Sequence, residues 1–135
     1  MPVRMTITCP MHHRAALIDL DGTLVDTLAD FTVSLNAMLD DLQLPALSEP
    51  QVQSLIGRGS EHLIRGALAL QIANASSAQI DRIYPEAWER YQNHYRAHNG
   101  RHARIYPGVV EGLRIMQARG WLLASMRASG IQVWL

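Results

Sequence analysis

The chain has no lysine: all 12 of its Lys+Arg residues are arginine, and 12 acids balance them to a formal net charge of zero. That balance removes any general attraction to nucleic acid or to an anionic membrane, so charge for binding a phosphate must be local. Cysteine is almost absent. Cys9 stands alone, which excludes an internal disulfide and suits a reducing cytoplasm. No apolar run approaches the length needed to span a bilayer. Met1 to His13 lacks the continuous apolar core of a signal peptide because Arg4, Thr6, Thr8 and Pro10 interrupt it, and residues 1–14 read as a leader. At 135 residues and 48% hydrophobic content, the remainder suffices for one ordinary domain or two small lobes sharing one core.

What is present is concentrated in one stretch. Ala15-Ala16-Leu17-Ile18 leads into Asp19-Leu20-Asp21-Gly22-Thr23-Leu24-Val25-Asp26. An apolar run stopped by carboxylates and a glycine predicts a buried parallel strand that delivers Asp19 and Asp21 to its C-terminal end, where open α/β sheets place their ligands. Side chains at i and i+2 of an extended chain share a face, so both carboxylates can reach one cation or one phosphoryl group. Two acids so close repel each other; a divalent metal, a substrate that needs a nucleophile, or a shared proton relieves the repulsion. An Asp-Gly turn with two solvated acids would use the same dipeptide. The longer string, with its apolar run, Asp-x-Asp-Gly-Thr and third acid, points instead to catalysis.

After Thr27 the apolar period becomes helical through Leu28, Phe31, Leu35, Met38, Leu39 and Leu42, and Pro45 ends that helix. Ser48-Glu49-Pro50-Gln51 has the form of a capping box and predicts a short helix to about Leu55. Ile56-Gly57-Arg58-Gly59-Ser60 is a glycine-rich break, with Ser60 the expected cap of a helix bearing Leu63, Ile64, Ala67 and Leu68. Ser76 to Gln79 offers a second capping box, before a helix whose stripe of Ile80, Ile83, Ala87, Trp88, Tyr91 and Tyr95 reads as core packing rather than a base-stacking platform. His94, His98 and His102 have helical spacing, but Asn99-Gly100 is expected to end the helix between them, which makes them solvated helix-end residues and not a metal site. A last helix around Leu113 stops at Gly120, and Trp121 to Met126 reads as a second buried strand. The expected class is therefore α/β: a partial doubly wound, Rossmann-like core of residues 15–27 and 105–135, with an inserted α-helical cap of residues 28–104.

Asp19-Leu20-Asp21-Gly22-Thr23-Leu24-Val25-Asp26 resembles the first motif of the haloacid dehalogenase-like phosphatases. The resemblance implies that Asp19 is a nucleophile taking the phosphoryl group as an aspartyl-phosphate, and that Asp21 is a general acid and base. It also implies Mg²⁺, held by the Asp19 carboxylate and the Asp21 backbone carbonyl. Within the superfamily the chain is most similar to the bacterial phosphoglycolate phosphatases, through Leu35 to Leu39, Ser48 to Val52, Ile56 to Gly59 and the run from His94 to Val109. That similarity implies a small phosphorylated substrate, 2-phosphoglycolate, and a loop Gly57-Arg58-Gly59 that faces the active site. Gly22 and Thr23 of the motif join this loop as substrate-binding candidates. Two glycines let backbone N–H groups approach an anion, and Arg58 adds a guanidinium fork. The same three residues also suit an ordinary interhelical turn with a solvated arginine, and the sequence leaves both readings open.

The similarity stops after Met126. Where the phosphatase subgroup ends its second strand with Thr-Asn-Lys, this chain has Arg127, Ala128 and Ser129. Ser125 lies roughly 6 to 7 Å further down the strand, too deep to replace the threonine. Without lysine, and with no acid after Glu111, the chain does not supply the family's later motifs in their usual places. The stretch from residue 127 reads as a shifted frame or premature end within a longer gene, leaving a sheet with open edges. Alternatives are phosphoryl transfer between sugar positions, as in β-phosphoglucomutase-like members, and a non-catalytic helical remnant.

Overall fold

The computed structural model describes the backbone of residues 14–127 and 130–134 and the side chains of residues 14–126. The expected leader, with Cys9, and the Ala128-Ser129 pair lie outside the described residues. Strand β1, Arg14–Asp19, pairs in parallel with β4, Trp121–Arg127, in a register that sets Ile18 beside Ser125 and Asp19 beside Met126. The parallel pairing predicted from two apolar runs is therefore present, and β1 begins one residue earlier than expected. Beyond β4, Gly130–Trp134 forms β5, antiparallel to β4, giving a sheet in the order β1-β4-β5.

Between β1 and β4 run α1 (Leu28–Asp41), α2 (Glu49–Leu55), α3 (Gly59–Gln71), α4 (Ser77–His98) and α5 (Val109–Ala118). Two short strands, β2 (Val25–Asp26) and β3 (Arg104–Ile105), pair antiparallel where the chain leaves and re-enters the sheet region. Each is two residues long, too short to carry a periodic signal, and sequence reading passed over both.

The hydrophobic core lies among α1 to α4. Leu35, Met38 and Leu39 of α1, Val52 of α2, Ile64, Ala67 and Leu68 of α3, and Ala87 of α4 are fully buried. Apart from Val52, these are residues that the 3.6-residue period placed on one stripe of each helix. Phe31, Tyr95 and Tyr91 stack in series at 5.7 and 5.8 Å, which bears out core packing for the tyrosines of the α4 stripe. Trp88 departs from that stripe, being 38% exposed. Sequence-distant hydrogen bonds lock the bundle. Asn36 of α1 donates from Nδ2 to the Leu47 carbonyl at 2.9 Å and accepts the Leu47 N–H at 2.8 Å, fixing the loop before α2.

Helix starts follow local chemistry. Gln51 Oε1 accepts the Ser48 N–H at 2.9 Å, and Ser76 Oγ accepts the Gln79 N–H at 3.2 Å, as both capping signatures foretold. Ser60 is not a cap: α3 starts at Gly59 with Arg58 in the cap position, which places Ser60 inside the first turn. Helix α4 ends at His98, so His94, His98 and His102 do not share one helix. His94 instead meets Asp41 through Nε2 at 2.7 Å.

The sheet is covered unequally. Ile18, Leu123 and Ser125 look toward α5 across an apolar cavity of about 370 Å³. On the opposite face Leu17, Leu122 and Met126 are 56%, 54% and 42% exposed. Among the described residues, no helix is long and apolar enough to cross a membrane.

Candidate active site

Asp19 is the last residue of β1, and the ladder continues for one more bond, from the Leu20 N–H to the Met126 carbonyl at 3.1 Å. The chain then turns sharply. The Leu20 carbonyl accepts the N–H groups of Leu24 and Val25 at 3.0 Å, and the Gly22 N–H donates to the Val25 carbonyl at 2.8 Å. This closed turn projects Asp19 and Asp21 into one cleft of about 290 Å³, lined also by Phe31, Ile56, Gly57, Gly59, Ser60 and Leu63. Asp19 and Asp21 thus line the same cleft.

Other predicted residues fall out less uniformly. Thr23 does not line the cleft, but its Oγ1 donates to Asp19 Oδ2 at 2.9 Å and so fixes the carboxylate's orientation. Gly22 likewise lies in the turn and not on the wall. Gly57 and Gly59 line the side opposite the acids. Both hold positive φ, +104° and +86°, with nothing within 4 Å of where a Cβ would stand, so backbone conformation rather than space calls for glycine there. Arg58 between them is exposed and outside the cleft lining. A side chain on a two-glycine loop has no periodicity to fix its direction, and the spacing did not reveal it.

Four lining residues were not singled out as site residues from the sequence. Ile56 and Ser60 flank the glycine loop, Leu63 follows one turn into α3, and Phe31 stands one turn into α1 after the acidic motif. Their signal was adjacency to the two motifs, masked by their use as core and capping positions.

The donor set suits a hard cation. The Asp19 carboxylate and the Asp21 carbonyl are oxygen donors, and a magnesium-class ion keeps several waters beside one or two protein carboxylates and substrate phosphate. Among the described residues no group of three or more His, Cys, Asp and Glu is gathered to hold a metal ion. The first turn of α3, with Gly59 and Ser60, supplies the positive end of a helix dipole on the facing wall.

The haloacid dehalogenase-like hydrolase family model matches residues 16–126. Phosphoglycolate phosphatase from Agrobacterium fabrum is 38% identical over 109 residues, covering 81% of this chain and 45% of that protein. The plasmid-borne phosphoglycolate phosphatase of Cupriavidus necator is 40% identical over 111 residues, covering 82% and 46%. A crystal structure described as a predicted phosphoglycolate phosphatase from Haemophilus somnus 129pt superposes with a TM-score of 0.74 at 29% identity, covering 84% of this chain and 51% of that one. The chain spans about half the length of the relatives it matches. The matched region takes in the acidic strand end, the helical block and the second parallel strand, and on that extent the chain belongs to the haloacid dehalogenase-like hydrolase family.

Proposed function

We propose that this chain carries the nucleophile half of a phosphomonoester hydrolase, and that its substrate is the one named for its relatives, 2-phosphoglycolate. The observation that supports the reading is the presence of both Asp19 and Asp21 in the lining of one small cleft at the C-terminal end of β1. Residues 28–104 act as a cap over the core segments 15–27 and 105–135, and the cytoplasm is the place of action.

A carboxylate oxygen of Asp19 attacks phosphorus, and the bond from phosphorus to the ester oxygen breaks. Asp21 gives its proton to the departing alkoxide. Asp21 then takes a proton from water as that water attacks the phosphorus of the aspartyl-phosphate, releasing inorganic phosphate and restoring Asp19. Thr23 holds the Asp19 carboxylate in line through its 2.9 Å hydrogen bond. Mg²⁺, bound by Asp19 and Asp21, would supply neutralising charge at the phosphoryl oxygens. Gly57 and Gly59 present backbone to the substrate, while Gly22 shapes the turn that carries the acids and Arg58 stays outside the cleft lining.

The chain spans about half the length of its relatives, and the part in hand contains no lysine and no acid after Glu111; a second reading is a non-catalytic helical module. Measuring Mg²⁺-dependent phosphate release from 2-phosphoglycolate and p-nitrophenyl phosphate, with Asp19→Asn as control, separates the two. Slow release abolished by the substitution supports the hydrolase; a folded chain releasing no phosphate above the Asp19→Asn background supports the module.

A further inference from the structure

We propose that a second cleft, between the start of α1 and the loop that follows α4, binds a small phosphate-class oxyanion independently of the Asp19/Asp21 site. The cleft measures about 390 Å³ and is lined by Asp26, Ala29, Arg101, His102, Ala103 and Arg104. It shares no lining residue with the carboxylate cleft.

Three observations carry the inference. The first is charge. The chain is neutral overall, yet no acid occurs between Glu89 and Glu111, a stretch holding Arg90, Arg96, Arg101 and Arg104. Arg90 is paired with Glu86 and Asp41, and Arg96 reaches Asn93. The guanidinium groups of Arg101 and Arg104 have neither hydrogen bond nor ion pair within the described residues. Two uncommitted arginines line one cleft, and each guanidinium offers a planar fork of donors that suits phosphate oxygens.

The second observation is preorganisation. Asp30, 1% exposed, accepts the Gly100 N–H through Oδ2 and the His102 N–H through Oδ1, both at 2.8 Å. The backbone on either side of Arg101 is therefore pinned to α1, and Arg104 is held in the β2–β3 ladder opposite Asp26. Little ordering of backbone remains to oppose binding. The third is the state of the one acid in the lining. Asp26 Oδ1 accepts the Leu28 N–H at 3.2 Å, and its single negative charge is outnumbered by the two arginines of the lining.

Titration calorimetry on the whole chain in EDTA, at constant ionic strength set with potassium chloride, tests this with inorganic phosphate and glycerol 3-phosphate as separate probes. Omitting divalent metal leaves the Asp19/Asp21 cleft repulsive to both. The expected result is saturable one-to-one binding that weakens at least about tenfold in Arg101→Gln/Arg104→Gln and is unchanged in Asp19→Asn. The tighter probe identifies whether free phosphate or a phosphomonoester is the ligand. No saturable heat with either probe overturns the proposal, as does equal binding by the double variant or loss of binding in Asp19→Asn. Should the double variant fail to fold, amide shifts of Gly100 and His102 on adding phosphate to the parent chain decide: movement at both supports the site, and silence at both refutes it. These outcomes do not depend on whether the chain hydrolyses phosphomonoesters.

Discussion

Asp30 offers a quantitative test of how the helical block is tied together. Its carboxylate joins the first turn of α1 to residues 70 and 72 positions later, through the Gly100 and His102 N–H groups, both at 2.8 Å. A hydrogen bond to a charged partner contributes about 1.5–3 kcal/mol, and an acid in the first turn of a helix adds some tenths of a kcal/mol. Both bonds are part-buried, so water recovers some of the loss. Asp30→Ala should therefore cost about 3 kcal/mol. With a urea m-value of about 2 kcal/mol per molar, the unfolding midpoint falls by roughly 1.5 M without a change of slope. Asp30→Asn keeps the shape but offers one acceptor to two donors, and should lose at least about 1.5 kcal/mol. Hydrogen exchange adds a local readout: the Gly100 and His102 amides should exchange faster in both variants than their neighbours do. An Asp30→Ala midpoint within about 0.5 kcal/mol of the parent would refute the clamp.

Further outcomes follow from the same packing. The Asp41 carboxyl is held below the usual carboxylate range, first by its hydrogen bond with His94 at 2.7 Å and also by the Arg90 guanidinium at 3.5 Å. A depressed folded-state value means stability present above the unfolded value and lost as pH falls through the folded one. The stability gap between the parent and Asp41→Asn should accordingly close below about pH 4, as read from urea midpoints across the acid range. Gly66 lies inside α3, where a Cβ would stand 2.5 Å from Leu55 Cδ2. Gly66→Ala gains about 1 kcal/mol of helix propensity yet overpacks α2 by about 1–3 kcal/mol. It should destabilise the parent chain and stabilise Leu55→Ala, a sign reversal that a double-mutant cycle measures.

Much of the site was legible because its signals are local. A strand ended by two acids and a glycine is written in consecutive residues, and the parallel partner is a second apolar run. The helical stripes of α1, α3 and α4 predicted Leu35, Ile64 and Tyr91 as core for the same reason. What escaped notice depends on residues far apart in sequence. Asp30 reads as an ordinary acid in a helix's first turn, since nothing near it announces Gly100 and His102 as partners. Ser60 looks like a cap, but the helix starts one residue earlier, at Gly59. Trp88 follows the apolar stripe of α4, yet the stripe is wider than the surface available to cover it, and the indole lies at its edge.

The two walls of the carboxylate cleft rest on different kinds of structure. The glycine loop is anchored to the buried cluster of α1 to α4 by the preceding Leu55 and Ile56, partly buried and packed against it. Asp19 and Asp21 stand instead on a three-stranded sheet with one face occupied by a partly filled apolar cavity and the other exposing Leu17, Leu122 and Met126. The acids are therefore held chiefly by directional bonds: the parallel ladder to β4, the turn closing on the Leu20 carbonyl, and the Thr23 hydroxyl on Asp19. Such bonds fix orientation well but contribute only about 1 kcal/mol each to stability, whereas burial stabilises in proportion to area. The geometry of the acidic pair is thus specified by its own turn, while its hold against opening depends on how well the sheet beneath it is covered.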